Sequence, residues 1–165
     1  MKKGHIYTYY GCGRGKTTLA IGQGVRVLGN ENTVVMVQFL DANDTKEFVI
    51  LDRLEPDFRV FKFGKLPVGV NVLTEENKKE IKADIKTGFN FVRKILETGE
   101  CDMLILDGAM DAVKEGYIDE NELCDILSKK ESYVDIILTG NAYIERVANL
   151  SDFVYSISTE KFTES

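Results

Sequence analysis

Apolar positions along the chain gather into short runs at His5–Tyr10, Thr33–Leu40, Phe58–Phe63, Met103–Leu106, Val134–Leu138 and Asp152–Ile157. Between them apolar residues return at a helical period. Strand and helix in alternation predict a parallel sheet with crossover helices. Val34-Val35-Met36-Val37 and Met103-Leu104-Ile105-Leu106 are apolar throughout, as strands covered on both faces should be. The expected fold class is therefore α/β, with a mostly parallel sheet of about six strands and helices on both faces.

The first helix is predicted from Lys16 to Leu28, with Leu19, Ala20, Val25, Val27 and Leu28 on its buried side and a left-handed turn at Gly29-Asn30. A longer helix opens at Thr74-Glu75-Glu76-Asn77 and carries Ile81, Ile85, Phe89, Val92 and Leu96 inward. Thr74 with Asn77 resembles a capping box without its acid, and Gly99 closes the segment. Another helix begins near Asp119-Glu120-Asn121-Glu122 and holds Leu123, Ile126 and Leu127. The stretch Gly64–Val72 is apolar yet broken by Gly64, Pro67 and Gly69. It is either an ordinary packed connection or a cover over a ligand.

A length of 165 residues suits one domain spanning 1–165. The net charge of -6 and the scattered lysines exclude a basic stripe, which argues against nucleic acid and anionic membrane as partners. Cys12, Cys101 and Cys124 show neither C-x-x-C spacing nor a neighbouring histidine, and read as reduced thiols. The start Met1-Lys2-Lys3-Gly4 runs at once into a strand, and no apolar stretch reaches the ~18 residues of a membrane span. A soluble cytoplasmic protein is expected.

Candidate chemistry begins at Gly11-Cys12-Gly13-Arg14-Gly15-Lys16-Thr17-Thr18, between a strand and a helix. Its glycines let backbone N–H groups turn inward, and the helix that follows aims its positive end at the same point. Lys16 adds a charge for the phosphates and Thr17 a hydroxyl for Mg²⁺. Tyr10 stands where the usual G-x-x-x-x-G-K-[ST] has its first glycine, so the turn begins at Gly11. The fold expected around such a loop is P-loop NTPase-like, of RecA type. Asp107 ends an apolar strand, where an acid meets the Mg²⁺ shell directly or through water, or else caps the next turn. Position 108 is glycine, whereas hydrolytic P-loop enzymes often keep a glutamate there to orient water. Asp111 is either its substitute or a solvated helix start. Gln38, Thr139 and Asn141 close strands on the loop's side of the sheet. They contact a nucleotide or only shape their turns. His5, Tyr7, Tyr9, Phe61 and Phe63 read as packing residues, and the Cys12 thiol is small enough for the loop.

With that loop, Val34-Val35-Met36-Val37-Gln38-Phe39, Leu104-Ile105-Leu106-Asp107, Ile137-Leu138-Thr139-Gly140 and Val147-Ala148-Asn149-Leu150-Ser151-Asp152 fall into a familiar order. The chain resembles the P-loop ATP:corrinoid adenosyltransferases over nearly its whole length. The resemblance implies transfer of the 5′-deoxyadenosyl group of ATP to the Co(I) of a corrinoid, with triphosphate leaving. It implies that Lys16, Thr17 and Asp107 are catalytic, with Thr17 and Asp107 arranging Mg²⁺. It also implies a reduced flavoprotein as electron donor, and a corrinoid lying over the strand tips beneath Gly64–Val72. Family members are often homodimers in which an N-terminal segment closes the neighbouring site. Only about three residues precede the first strand here, so cover is expected from within the domain or from a partner. The chain departs from the family at Gly108, Asn141, Asp41-Ala42, Lys65-Leu66-Pro67 and Lys161-Phe162. Two other readings stay open: a nucleotide-binding accessory or regulatory module, and a P-loop kinase, which would need a positioned base near its acceptor.

Overall fold

The computed structural model describes residues 3–41 and 46–164, so Met1, Lys2 and Ala42 of the readings above lie outside the described residues. Its elements run β1 (Ile6–Tyr10), α1 (Lys16–Leu28), β2 (Val34–Phe39), α2 (Lys46–Leu51), β3 (Phe58–Phe63), α3 (Glu75–Thr98), β4 (Met103–Asp107), α4 (Ala109–Lys114), α5 (Glu120–Ser128), β5 (Asp135–Gly140), α6 (Glu145–Leu150) and β6 (Phe153–Ser156). All six strands join one sheet in the order β3-β2-β4-β5-β1-β6. Every pairing is parallel.

Side chains alternate across a strand, and here the alternation sorts two cores. Val35, Val37, Leu104, Leu106, Ile136 and Leu138 face α3, α5 and their neighbours. Val34, Met36, Met103, Ile105 and Ile137 face α1. Continued by one step on the α1 face, the same period reaches Gln38, Asp107 and Thr139. All three are polar and buried. The sheet thus ends its apolar rows in a polar row at the C-terminal edge, beside the start of α1.

That start sets the rotation of α1. Thr17 is bonded to Asp107, so the positions at i+3, i+4 and i+7 from it turn inward. Ala20, Ile21 and Gly24 are the buried residues of the helix. Leu19 and Val25, expected inside, are each 45% exposed. Rotating the helix to bury them would pull Thr17 away from the strand tips. Gly24 is where the helix closes on the sheet: a Cβ there would sit 2.7 Å from Phe58 Cε2 and 3.2 Å from Ile105 Cδ1.

The expected left-handed turn at Gly29-Asn30 falls instead on Glu31, with φ 60. Gly29 is right-handed, because the amides of Gly29, Asn30 and Glu31 still bond to Arg26, Val27 and Leu28 and carry the chain on by one tighter turn. At α3 the capping box is complete without an acid: Asn77 N–H donates to Thr74 Oγ1 at 3.1 Å, and Thr74 N–H to Asn77 Oδ1 at 3.2 Å. Ile81, Ile85, Phe89, Val92 and Leu96 are buried as predicted, and Gly99 caps in the left-handed region. At the opposite, N-terminal edge of the sheet, aspartates stand at the starts of the strands. Asp102 accepts from Thr33 N–H, Asp135 from His5 N–H and Asp152 from Ile6 N–H, each at 2.8 Å. Those bonds give partners to amides at the starts of the neighbouring strands.

The close approach at Gly24 sets an expectation for stability. Gly24→Val, which overpacks the contact with Phe58, is expected to cost about 1–3 kcal/mol and lower Tm by roughly 3–10 °C in thermal unfolding. Leu19→Gln, on the exposed side, is expected to stay within about 0.5 kcal/mol of the parent. The reverse ranking would mean the helix is rotated as its apolar pattern alone suggests.

Candidate active site

The strand order places the tip of β5 between those of β4 and β1, with β2 flanking β4 on the far side. Asp107, at the end of β4, therefore has neighbours on both sides. Gln38 is its Cα partner in register and donates through Nε2 to Oδ2 at 2.9 Å. Thr139 Oγ1 donates to Oδ1 at 2.6 Å, and Thr17 Oγ1 donates to the same oxygen at 2.8 Å. Thr139 Oγ1 also accepts from Gly108 N–H at 3.0 Å. One carboxylate thus joins β2, β4, β5 and α1. Charge-assisted bonds of this kind are stronger than neutral ones.

Between β1 and α1 the phosphate loop turns on Gly15, the N-cap of α1, at φ 102. Lys16 bends back over the loop, its Nζ donating to the carbonyls of Gly11 at 2.6 Å and Gly13 at 2.7 Å. The loop's amides do not all face the cleft. Gly13 N–H donates to the Ile157 carbonyl at 2.9 Å, and Ile157 N–H donates to Tyr10 O at 2.7 Å, so the chain after β6 is stitched along the loop's outer side. The same tail carries Phe162, whose ring lies 4.6 Å from the Arg14 guanidinium carbon. Arg14 and Cys12 are exposed.

These residues line one cleft of about 640 Å³. Cys12 to Thr18 form one wall; Gln38, Asp107 and Thr139 form the floor; Phe39, Leu40 and Leu66 give apolar surface opposite. Leu66 is drawn in by its N–H bond to Asp41 O at 3.1 Å. Beyond it Val68 and Val72 are about four-fifths exposed. A groove of about 710 Å³ between α3 and α5 is larger, but it holds none of the phosphate-loop residues.

Asp111 also lines the cleft, and both its oxygens are engaged. Oδ1 and Oδ2 each accept from Asn141 N–H at 3.0 Å, and Oδ1 from Ala142 N–H at 3.1 Å. It is therefore a clamp on the turn after β5, a role absent from the sequence reading because its partners lie 30 residues away. Asn141 is held in that turn by its backbone. At Gly108, φ is 76 and a Cβ would sit 2.4 Å from Phe39 O, so the position has no room for a side chain.

Two neighbouring strand tips and a helix start converging on the carboxylate that ends β4, beneath a glycine-turned loop, define a P-loop nucleotide-binding protein of RecA type. The comparisons with known proteins narrow the class. Residues 2–164 match the family described as ATP:corrinoid adenosyltransferase BtuR/CobO/CobP. The chain belongs to that family. It is 24% identical over 161 residues to the corrinoid adenosyltransferase of Escherichia coli K12, covering 97% of this chain and 79% of the relative. Coverage and identity are the same for the Salmonella typhimurium protein, and identity is 22% to that of Pseudomonas aeruginosa, with 97% and 77% covered. Among solved structures, the flagellar accessory protein FlaH from Methanocaldococcus jannaschii matches with a TM-score of 0.65 at 17% identity, over 99% of this chain and 75% of that one. At that identity the likeness concerns the fold. Among the described residues no helix is long and apolar enough to cross a membrane.

Two outcomes are expected from this geometry. Gly108→Glu, the change that would restore an acidic residue after Asp107, should create no ATPase and should cost about 1–3 kcal/mol by chemical denaturation, because the left-handed backbone and Phe39 O oppose any side chain. Thiol titration near pH 8 should find Cys12 reacting fast and the other two only on unfolding. Cys101 and Cys124 are buried, and burial pushes the Cys101 thiol up to about 12 and the Cys124 thiol upward. The unfolded Cys101 thiol ionises first as pH climbs past about 9, so this group's contribution to stability is full below that pH and falls toward pH 12.

Proposed function

We propose that this chain, as a single domain over residues 1–165, transfers the 5′-deoxyadenosyl group of ATP to the Co(I) centre of a corrinoid, releasing triphosphate. The observation that carries the reading is that neither of the two positions the sequence offers for a water-activating base supplies one. Gly108 has no side chain, and Asp111 spends its oxygens on the amides of Asn141 and Ala142. Hydrolysis and phosphoryl transfer to a hydroxyl need such a group. A nucleophile carried by the substrate does not.

In the proposed reaction cobalt donates an electron pair to C5′, the Co–C bond forms, and the C5′–O bond breaks with its pair leaving on the triphosphate. No proton moves. What the protein must do is orient ATP and stabilise charge on the leaving group. Lys16, the amides of Gly15, Thr17 and Thr18, and the positive end of α1 do so at the loop. Gln38, Thr139 and Asn141 line the nucleotide's side of the cleft, and Phe39, Leu40 and Leu66 offer apolar surface to the corrinoid. The exposed valines of the 64–72 loop are its cover. A reduced flavoprotein, implied by the family resemblance, supplies the electron that yields Co(I).

The residues present suit Mg²⁺. Thr17 Oγ1 donates its hydrogen bond to Asp107 Oδ1, which leaves the Oγ1 lone pairs for a hard cation, and Asp107 Oδ2 accepts from a single donor. Among the described residues no group of three His, Cys, Asp or Glu side chains gathers around a metal. That favours a cation held chiefly by phosphate oxygens and water, the habit of Mg²⁺. When bound, it would neutralise part of the charge on the departing triphosphate.

The test is anaerobic incubation with MgATP and chemically reduced corrinoid, followed by product analysis. Adenosylated corrinoid with one triphosphate per turnover is expected, with ADP near background. Lys16→Ala should slow the reaction on the order of 10²- to 10³-fold. ADP as the main product would install a kinase or ATPase instead, and unchanged ATP would leave an accessory module.

A further inference from the structure

Gln38 is the residue whose surroundings the site description leaves unfinished. It is 3% exposed in a strand whose other residues are all apolar. Its amide is oriented by Asp107: Nε2 is the atom that can donate to Oδ2, so Oε1 points the other way. Oε1 is buried and has no hydrogen-bond partner among the described residues. An unmade bond at a buried acceptor is costly, because the oxygen has given up water without gaining a donor. Every other side chain of the Asp107 network has a partner. Gln38 itself lines the floor of the cleft together with Thr17 and Asp107.

The required donor must reach a floor position beside Asp107 and Thr17. Phosphate oxygens at neutral pH accept bonds, so they cannot be the donor. A water on a divalent cation fits: it is small, its protons are acidified by the metal, and it donates strongly. We propose that Gln38 Oε1 accepts a hydrogen bond from a cation-bound water of the nucleotide complex, which makes Gln38 a positioning residue for the hydrated metal. This rests on the nucleotide reading of the cleft and adds a function for the amide's oxygen. Through Nε2 the same amide holds Asp107, so a single side chain spans the carboxylate and the metal's hydration shell.

Calorimetric titration with ATP in excess Mg²⁺, and again in EDTA, separates the two halves of that amide. Gln38→Met and Gln38→Glu both lose the Nε2 donor to Asp107, but only the methionine loses the acceptor. For Gln38→Met the advantage that Mg²⁺ gives to ATP binding should fall about tenfold or more, the weight of a bond to a charged group, while the metal-free constant moves less than about threefold. Gln38→Glu keeps an acceptor and adds negative charge beside the cation, so that advantage should hold or rise and should not fall as it does for methionine. Water-proton relaxation with Mn²⁺ and ATP should show the same split without any turnover, and Gln38→Asn, which withdraws the oxygen by one carbon, stands in if the methionine variant fails to fold. Equal losses with and without metal, or equal behaviour of methionine and glutamate, would overturn the proposal in favour of a structural role. No loss in Gln38→Met would assign the oxygen to a buried structural water. If the parent chain bound no ATP at all, the nucleotide reading would fall with it; a parent that binds MgATP beside an unaffected Gln38→Met refutes this inference alone.

Discussion

The carboxylate of Asp107 is the point on which the arrangement depends. It lies 5% exposed at the end of β4, and a charge buried that deeply is tolerable only if its oxygens are bonded. The bonds come from β2, β5 and α1, each through a different side chain. Satisfying one charge therefore sets the relative heights of three strand tips and the rotation of the helix that carries the phosphate loop. Leu19 and Val25 stand in solvent as a result, and Gly24 is pressed onto Phe58.

Period-two alternation explains why much of this was legible. Val34, Met36 and Gln38 share a face, as do Met103, Ile105 and Asp107, so a polar residue closing an apolar row marks a strand tip. Asp107, Gln38 and Thr139 were visible in that way, the phosphate loop through its glycines and Lys16-Thr17, and the strand spans came within a residue or two. What stayed hidden depends on partners far away in sequence. Asp111 reads as a helix start until the turn at Asn141 is brought against it. The Ile157 carbonyl gives no sign in the sequence that it will take the amide of Gly13. α2, α4 and α6 have six residues each, too few to establish a helical period. The rotation of α1 was misread because its apolar pattern was weighed without the anchor at Thr17.

Departures from the family pattern acquire physical partners in the structure. Gly108 sits in a left-handed backbone with Phe39 O against it, so the missing acid is a matter of space as well as chemistry. Asn141 is held in the turn after β5 by its N–H bonds to the Asp111 carboxylate. Phe162, another of the departures, is stacked against Arg14 of the loop. These differences gather on the rim and the β5 turn. The floor keeps its oxygen donors.

The two edges of the sheet solve the same problem in opposite ways, and the contrast locates function. At the N-terminal edge Asp102, Asp135 and Asp152 accept from backbone amides, and no ligand is called for. At the C-terminal edge the polar residues bond mainly to one another, and Gln38 Oε1 is left over. A chain shaped for stability alone would fill position 38 as it fills 34 to 37 and avoid both a buried amide and an unmade bond. Keeping a polar row there lowers stability unless something outside the fold completes it. The phosphate loop opens on that same row, and the pairing of an incomplete floor with a cationic wall is what separates this edge of the sheet from the other as the place for chemistry.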